Sequence, residues 1–291
     1  MSLLQKMKRE TNPATAHLIP KKRNYFFKEC PDFEQIVHGA LNGESQLIVG
    51  EPGCGKSEIV LFLAALVNAP VVQIQGDGDM DVLSIIGSQT YNEKLGGVAW
   101  VDGVLPYAAR HGCWVLLDEL NMVAPEVLAR LHSMLDDRRQ LDLKENNEVL
   151  RLGRDTVVFA TMNPSDGDRH HGTRPLSPAL KSRFSAVYRF EYLPRDAEAR
   201  LLHERTGLPH ADAELLARMA VDFRNAFASG EALAPVDTRM LLALAARARH
   251  FPLDQAFRTT ILNRFDEDSA NVFNGIFRAH IPGAKNAKKA S

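Results

Sequence analysis

At 291 residues the chain has room for one large domain and one small one. A hydrophobic share of 45% beside 24% charged residues is that of a soluble globular protein, and no run of about 18 apolar residues marks a membrane span. A formal net charge of −1 gives the protein as a whole no field that would gather nucleic acid. The stretch from Met1 to Arg9 lacks the sustained apolar core of a signal peptide, so residues 1–17 read as a tail with Lys6, Lys8 and Arg9 in solvent. Lys21, Lys22 and Arg23 form a second basic group. Cys30, Cys54 and Cys113 are widely spaced and odd in number, which fits reduced thiols and a cytoplasmic location.

The first element with chemistry in it begins at Leu47-Ile48-Val49. This apolar run leads into Gly50-Glu51-Pro52-Gly53-Cys54-Gly55-Lys56-Ser57, which matches G-x-x-x-x-G-K-[ST], and a helix-like run from Ser57 and Glu58 to Leu66 leads out. Strand, loop and helix in that order separate a phosphate-binding loop from a chance glycine turn. The glycines let successive backbone N–H groups turn toward one anion at the positive end of the helix dipole. Lys56 is placed to reach β- and γ-phosphates, and the Ser57 hydroxyl to complete a Mg²⁺ shell. The expected ligands are therefore ATP and Mg²⁺, held by the loop and by Glu58 in the turn after it.

Pro70 to Ile74 reads as a second strand. Cys113-Trp114-Val115-Leu116-Leu117 is a third, and it ends in Asp118-Glu119. Ligands of open α/β sheets bind at that carboxyl edge. Asp118 is expected to hold the metal through its water shell and Glu119 to orient and deprotonate the attacking water. Pro125 to Arg138 has helical spacing, with Pro125 near the first turn. The alternating stretches Gln140–Lys144 and Glu148–Leu152 flank Asn146-Asn147 and predict a β-hairpin. Thr156 to Met162 is a fourth strand whose tip carries Asn163, an amide able to bond a γ-phosphate or the lytic water. Ala186 to Phe190 completes the set. His170-His171 has no cysteine or carboxylate cluster at ligand spacing and reads as loop polarity.

From Tyr192 onward the spacing becomes helical. Asp196 stands where an N-cap would, Ala197 to Glu204 follows as helix, and Leu215, Leu216, Met219 and Val221 mark a second. Leu241, Leu242 and Leu244 mark a third, and the end from Pro282, rich in lysine, reads as a tail.

GEPGCGKS, WVLLDELN, FATMNP and LSPALKSRF, in this order, resemble AAA+ ATPases over roughly residues 18 to 250. More narrowly they are similar to the MoxR-type and dynein/midasin-related branch, with Val236-Asp237-Thr238-Arg239 nearer to the CbbQ/NorQ-like pattern. The resemblance implies an α/β core at 18–192, a five-stranded parallel sheet flanked by helices, with a small helical lid at 193–282 and a basic tail at 283–291. It makes Asn163 the sensor-1 residue, Arg183 an arginine finger offered to the neighbouring subunit, and Arg239 the sensor-2 arginine. Arg183 also suits a helix C-terminal cation, and Arg239 a surface residue at a helix start. Residues 81–104 look like the helix-2 insert facing a ring's pore, with Gly96-Gly97 as its tip, and 140–152 like the pre-sensor-1 hairpin.

The implied function is a Mg²⁺-dependent ATPase in a hexameric ring that remodels or activates a partner protein or metalloenzyme. Members of this branch commonly act with a von Willebrand A-domain protein, and CbbQ/NorQ-like ones on metalloenzymes or Rubisco. A nucleic-acid motor, a metal-chelatase motor subunit and a non-hydrolysing ring subunit are the alternatives. Neutral net charge speaks against the first, and Glu119 with Arg183 against the last.

Overall fold

The computed structural model describes residues 3–22, 30–77, 81–93, 96–164 and 175–281. The chain divides into two units, one of Met1–Gly50 with Gly55–Phe190, the other of Glu51–Cys54 with Glu191–Ser291.

The first unit is built on strands β1 (Gln46–Gly50), β2 (Val71–Gln75), β5 (Trp114–Asp118), β8 (Val158–Met162) and β9 (Ala186–Phe190). They form one parallel sheet in the order β2-β5-β8-β1-β9. β1, β5 and β8 are near-continuous apolar runs because helices cover both faces. Alternate residues feed two cores. Ile48, Trp114, Leu116 and Phe159 pack with helices α1 (Leu3–Met7), α2 (Phe33–Asn42) and α3 (Lys56–Val67). Leu47, Val115, Leu117, Val158 and Ala160 face the other way, with helices α5 (Val104–His111) and α6 (Pro125–Leu135).

Two antiparallel hairpins interrupt this alternation. Helix α4 (Val82–Ile86) leads into β3 (Gly87–Asn92) and β4 (Gly97–Asp102), and β6 (Gln140–Leu143) pairs with β7 (Glu148–Arg151). Arg110 on α5 ties them together, donating to Asp102 and Glu148 at 2.7 Å each.

Several local expectations change. Helix α6 stops at Leu135, short of Arg138, because the Asp136 carboxylate turns back to accept from Arg138 N at 3.0 Å. Arg9 is not in solvent: its guanidinium donates to the carbonyls of Gly112 (2.8 Å) and Asp155 (2.6 Å), and Met7 is buried beside it in sequence. Desolvation is offset there by two carbonyl acceptors at the sheet's amino-terminal end.

The second unit is helical: α8 (Arg195–Thr206), α9 (His210–Ala228), α10 (Thr238–Ala248), α11 (Leu253–Thr260) and α12 (Glu267–His280). Phe223, Phe257 and Phe277 stack at its centre, with Phe273 meeting Phe223 edge-on. Pro194, not Asp196, occupies the N-cap of α8, so Asp196 sits within the first turn, where its charge suits the helix dipole. Val221 lies on the solvent side of α9, while Leu216 and Met219 face the core. His170-His171 and the tail from Pro282 lie outside the described residues. No helix among the described residues is long and apolar enough to cross a membrane.

Candidate active site

Register brings the polar residues together. Val49 pairs with Met162 and Leu117 with Ala160, so β1, β8 and β5 end side by side at the carboxyl edge. Lys56 opens α3 behind Gly55, whose φ of +96° only glycine adopts without strain. The lysine is buried, and its Nζ donates to Gly50 O at 2.7 Å and to Asn163 Oδ1 at 3.1 Å. One turn position later, the Ser57 hydroxyl donates to the Asp118 carboxylate at 2.8 Å. Glu58 is half-buried in the same turn of α3.

The acid pair is held by residues that local spacing did not mark. Thr161, fully buried on β8, donates its hydroxyl to Asp118 Oδ1 and accepts from Glu119 N at 3.2 Å. Gln75, opposite Asp118 in register, donates its amide to Glu119 Oε2 at 2.8 Å. Glu119 itself sits at φ +55°, a left-handed conformation that costs a non-glycine residue of order 1 kcal/mol or more. Gly76 explains how the turn is held: its N donates to Asp118 O at 2.6 Å, and a Cβ there would stand 2.3 Å from Glu119 O. Asn121, buried just beyond, donates to Asn163 O at 3.4 Å. A threonine two residues before the amide and a Gln-Gly at a strand end were the available signals.

Arg183 follows the short helix α7 (Pro178–Lys181). Its guanidinium is ion-paired with Asp136 and donates to His132 O at 3.4 Å. Arg138 hydrogen-bonds the same carboxylate and, with Arg183, holds its pKa below the usual range. Burial, reinforced by the Arg183 charge, lowers the His132 pKa, so the imidazole is neutral at pH 7.

Glu51, Pro52, Gly53 and Cys54 belong to the second unit, as does Arg239. Cys54 N donates to Glu51 O at 3.4 Å, which closes the turn, and Gly53 has φ +70°. Arg239 is exposed in the first turn of α10, behind the Asp237 cap.

This donor set fits a nucleotide with Mg²⁺. A buried ammonium, a hydroxyl 2.8 Å from a carboxylate, and a glycine turn at a helix N-terminus match one or two protein oxygens on a metal that keeps waters and phosphates. No group of three or more His, Cys, Asp or Glu able to hold a metal occurs among the described residues.

Residues 45–184 match the family model of the AAA domain, dynein-related subfamily. An uncharacterized protein of Staphylococcus haemolyticus is 29% identical over 227 residues, covering 76% of this chain and 84% of that protein. One from Staphylococcus aureus is 27% identical over 237 residues, covering 79% and 88%. A solved structure of a Thermotoga maritima RuvB mutant covers 90% of this chain and 73% of its own, at 16% identity and a TM-score of 0.49. Residues 45–184 are therefore similar to an AAA domain of the dynein-related subfamily, and the fold is an AAA+ P-loop NTPase core followed by a helical C-terminal region.

Proposed function

We propose that this chain is a Mg²⁺-dependent ATPase that works as a ring, expected to be hexameric, and turns hydrolysis into remodelling or activation of a protein partner. The convergence of Lys56, Ser57, Asp118 and Asn163 on three adjacent strand ends carries the reading. Lys56 binds phosphate oxygens in place of its present carbonyl and amide acceptors. Ser57 and Asp118 hold Mg²⁺, which when bound neutralises charge on the phosphates. Glu119 takes the proton of the attacking water on its carboxylate, with Gln75 fixing the rotamer. Asn163 reads the γ-phosphate from the tip of β8, and Arg239 reads it from α10. Arg183 acts on the neighbouring subunit's nucleotide, with Asp136 fixing the guanidinium beforehand.

The partner side of the reading is that of MoxR-type and CbbQ/NorQ-like proteins, with a von Willebrand A-domain protein as the expected adaptor. The β3–β4 hairpin supports a protein contact, since Tyr91 and its cross-strand partner Val98 are 69% and 67% exposed. Glu119→Gln tests the chemistry. It should keep ATP affinity, lose about 10²–10⁴ in turnover and accumulate ATP-bound rings on native mass spectrometry. Wild-type turnover in that variant removes Glu119 from the base role. Unchanged ATP affinity in Lys56→Ala, read by calorimetric titration, removes the loop as the binding site.

A further inference from the structure

Within the second unit, the phosphate-loop turn Glu51–Cys54 and the start of α10 are joined through one buried polar network. Glu198 on α8 is fully buried and takes three donors: Arg224 Nη1 at 2.7 Å, Arg224 Nη2 at 2.8 Å and the Thr238 hydroxyl at 2.7 Å. Arg224 also donates through Nε to Val236 O at 3.2 Å, so its plane cannot rotate. A buried ion pair of this kind costs heavy desolvation, and an apolar pair would fill the space with less. Its use is placement.

What the fork places is Tyr192. The Arg224 Cζ lies 3.7 Å from the centroid of the Tyr192 ring. At the far end of that ring the hydroxyl donates to Pro52 O at 2.9 Å, inside the phosphate loop. Burial pushes the phenol well above its ordinary pKa, so it remains a donor at neutral pH. The loop also comes close to α10: a Cβ on Gly53 would stand 2.7 Å from the Asp237 side chain, which caps α10 through Met240 N at 2.8 Å. Thr238, bonded to Glu198, is the first residue of α10, and Arg239 is the second.

We propose that Tyr192, seated on the Glu198–Arg224 pair, is a positioning residue that sets the Glu51–Cys54 turn and thereby the affinity of the loop for nucleotide. The proposal rests on the reading of the loop as the ATP site. The same pair fixes the start of α10, so loop shape and Arg239 are governed together by α8 and α9. Tyr192 touches no reacting atom in this role; it acts through the Pro52 carbonyl.

The test is Tyr192→Phe in the full chain, which deletes one hydroxyl and keeps the ring over Arg224. Calorimetric titration with Mg²⁺ and a non-hydrolysable ATP analogue should show affinity weakened about three- to tenfold, the worth of one net hydrogen bond. KM for ATP should rise in step while turnover at saturation falls less than about twofold, the mark of lost uniform binding. The nucleotide-free melting temperature should stay within about 2 °C. Affinity within twofold of wild type overturns the positioning role, and so does a larger melting shift, which would make the hydroxyl a fold bond. A wild-type chain that binds no nucleotide in the same titration overturns the ATP reading and this role with it.

Discussion

The carboxyl edge of the central sheet and the β3–β4 hairpin solve opposite problems. At the edge, buried Lys56 and Thr161 and half-buried Ser57, Asp118, Glu119 and Asn163 bond one another, with Lys56 to Asn163 and Ser57 and Thr161 to Asp118, while exposed Gln75 bonds Glu119 from the rim. On the hairpin, Tyr91, Val98 and Val101 are each more than half exposed. The second hairpin shows that exposure is not forced by hairpin geometry, since β6–β7 buries Leu141 and Leu143 completely in the core. Polar groups removed from water must be paired within the chain, so the edge comes pre-organised. Apolar groups left in water gain free energy only when something covers them, which is why the proposed partner contact is sought at the β3–β4 hairpin.

The contrast is tested most severely at Arg183, which stands near the amino end of the sheet, where Ser185 N donates to Ser45 O at 2.9 Å, and whose proposed target lies in another subunit. Arg183→Ala should bind ATP nearly normally yet hydrolyse it about 10³–10⁵-fold more slowly, the usual worth of such a guanidinium. Mixing it with Lys56→Ala subunits should restore part of the activity, because some interfaces then pair an intact Arg183 with an intact Lys56. The measurement is ATPase rate across mixing ratios, with exchange followed by native mass spectrometry. No recovery at any ratio returns Arg183 to the role of a cation held by Asp136.

A matched pair of truncations compares the hairpins directly. Leu141→Ala should cost about 2–5 kcal/mol in urea unfolding, as buried leucines do. Tyr91→Ala should stay within about 0.5 kcal/mol and spare ATP turnover while losing coupling to the partner. Equal stability losses would mean the β3–β4 hairpin is packed in solution.

Thr161→Val probes the edge more gently, replacing the hydroxyl by a methyl of similar size. Asp118 loses a donor and Glu119 N an acceptor, so a loss of about 1–3 kcal/mol per group left unpaired is expected. Turnover should fall with it. Unchanged turnover would show that the acid turn is held by Gly76 and Gln75 alone.

The smallest effect concerns pH. The Asp136 carboxyl is held below its usual range, first by the hydrogen bond from Arg138 and also by the Arg183 charge. A folded-state pKa below the unfolded value, about 3.9, means its contribution is present at neutral pH and lost as pH falls through the folded value. The urea midpoints of wild type and Asp136→Asn should therefore differ at pH 7 and converge toward pH 3. A gap that widens on acidification would reverse the sign of the assignment.

Much of the site was legible because it is local. The phosphate loop must follow a buried strand and open a helix, and the acids and the amide must sit on strand tips. Each requirement is written in fewer than about ten consecutive residues, as apolar runs ending in glycine, acid or amide. The partners of those groups were not legible. Gln75 and Thr161 look like ordinary strand residues until β2, β5 and β8 align and leave them beside Glu119 and Asp118. Arg9 reads as a solvated cation until the carbonyls of Gly112 and Asp155 meet it.

The sequence by itself determined the order of the five parallel strands, the nucleotide-binding loop pattern and the residue types at the strand tips, since these depend on short-range periodicity and backbone geometry. Only the tertiary structure decided which hairpin sends leucines into the core, where Arg183 is tethered, and that Tyr192 rests on a buried Glu198–Arg224 pair reaching Pro52. Those outcomes join residues from 26 to 140 positions apart. A hydrogen bond or ion pair at that separation is set by how the elements pack, a fact no local stretch of chain contains.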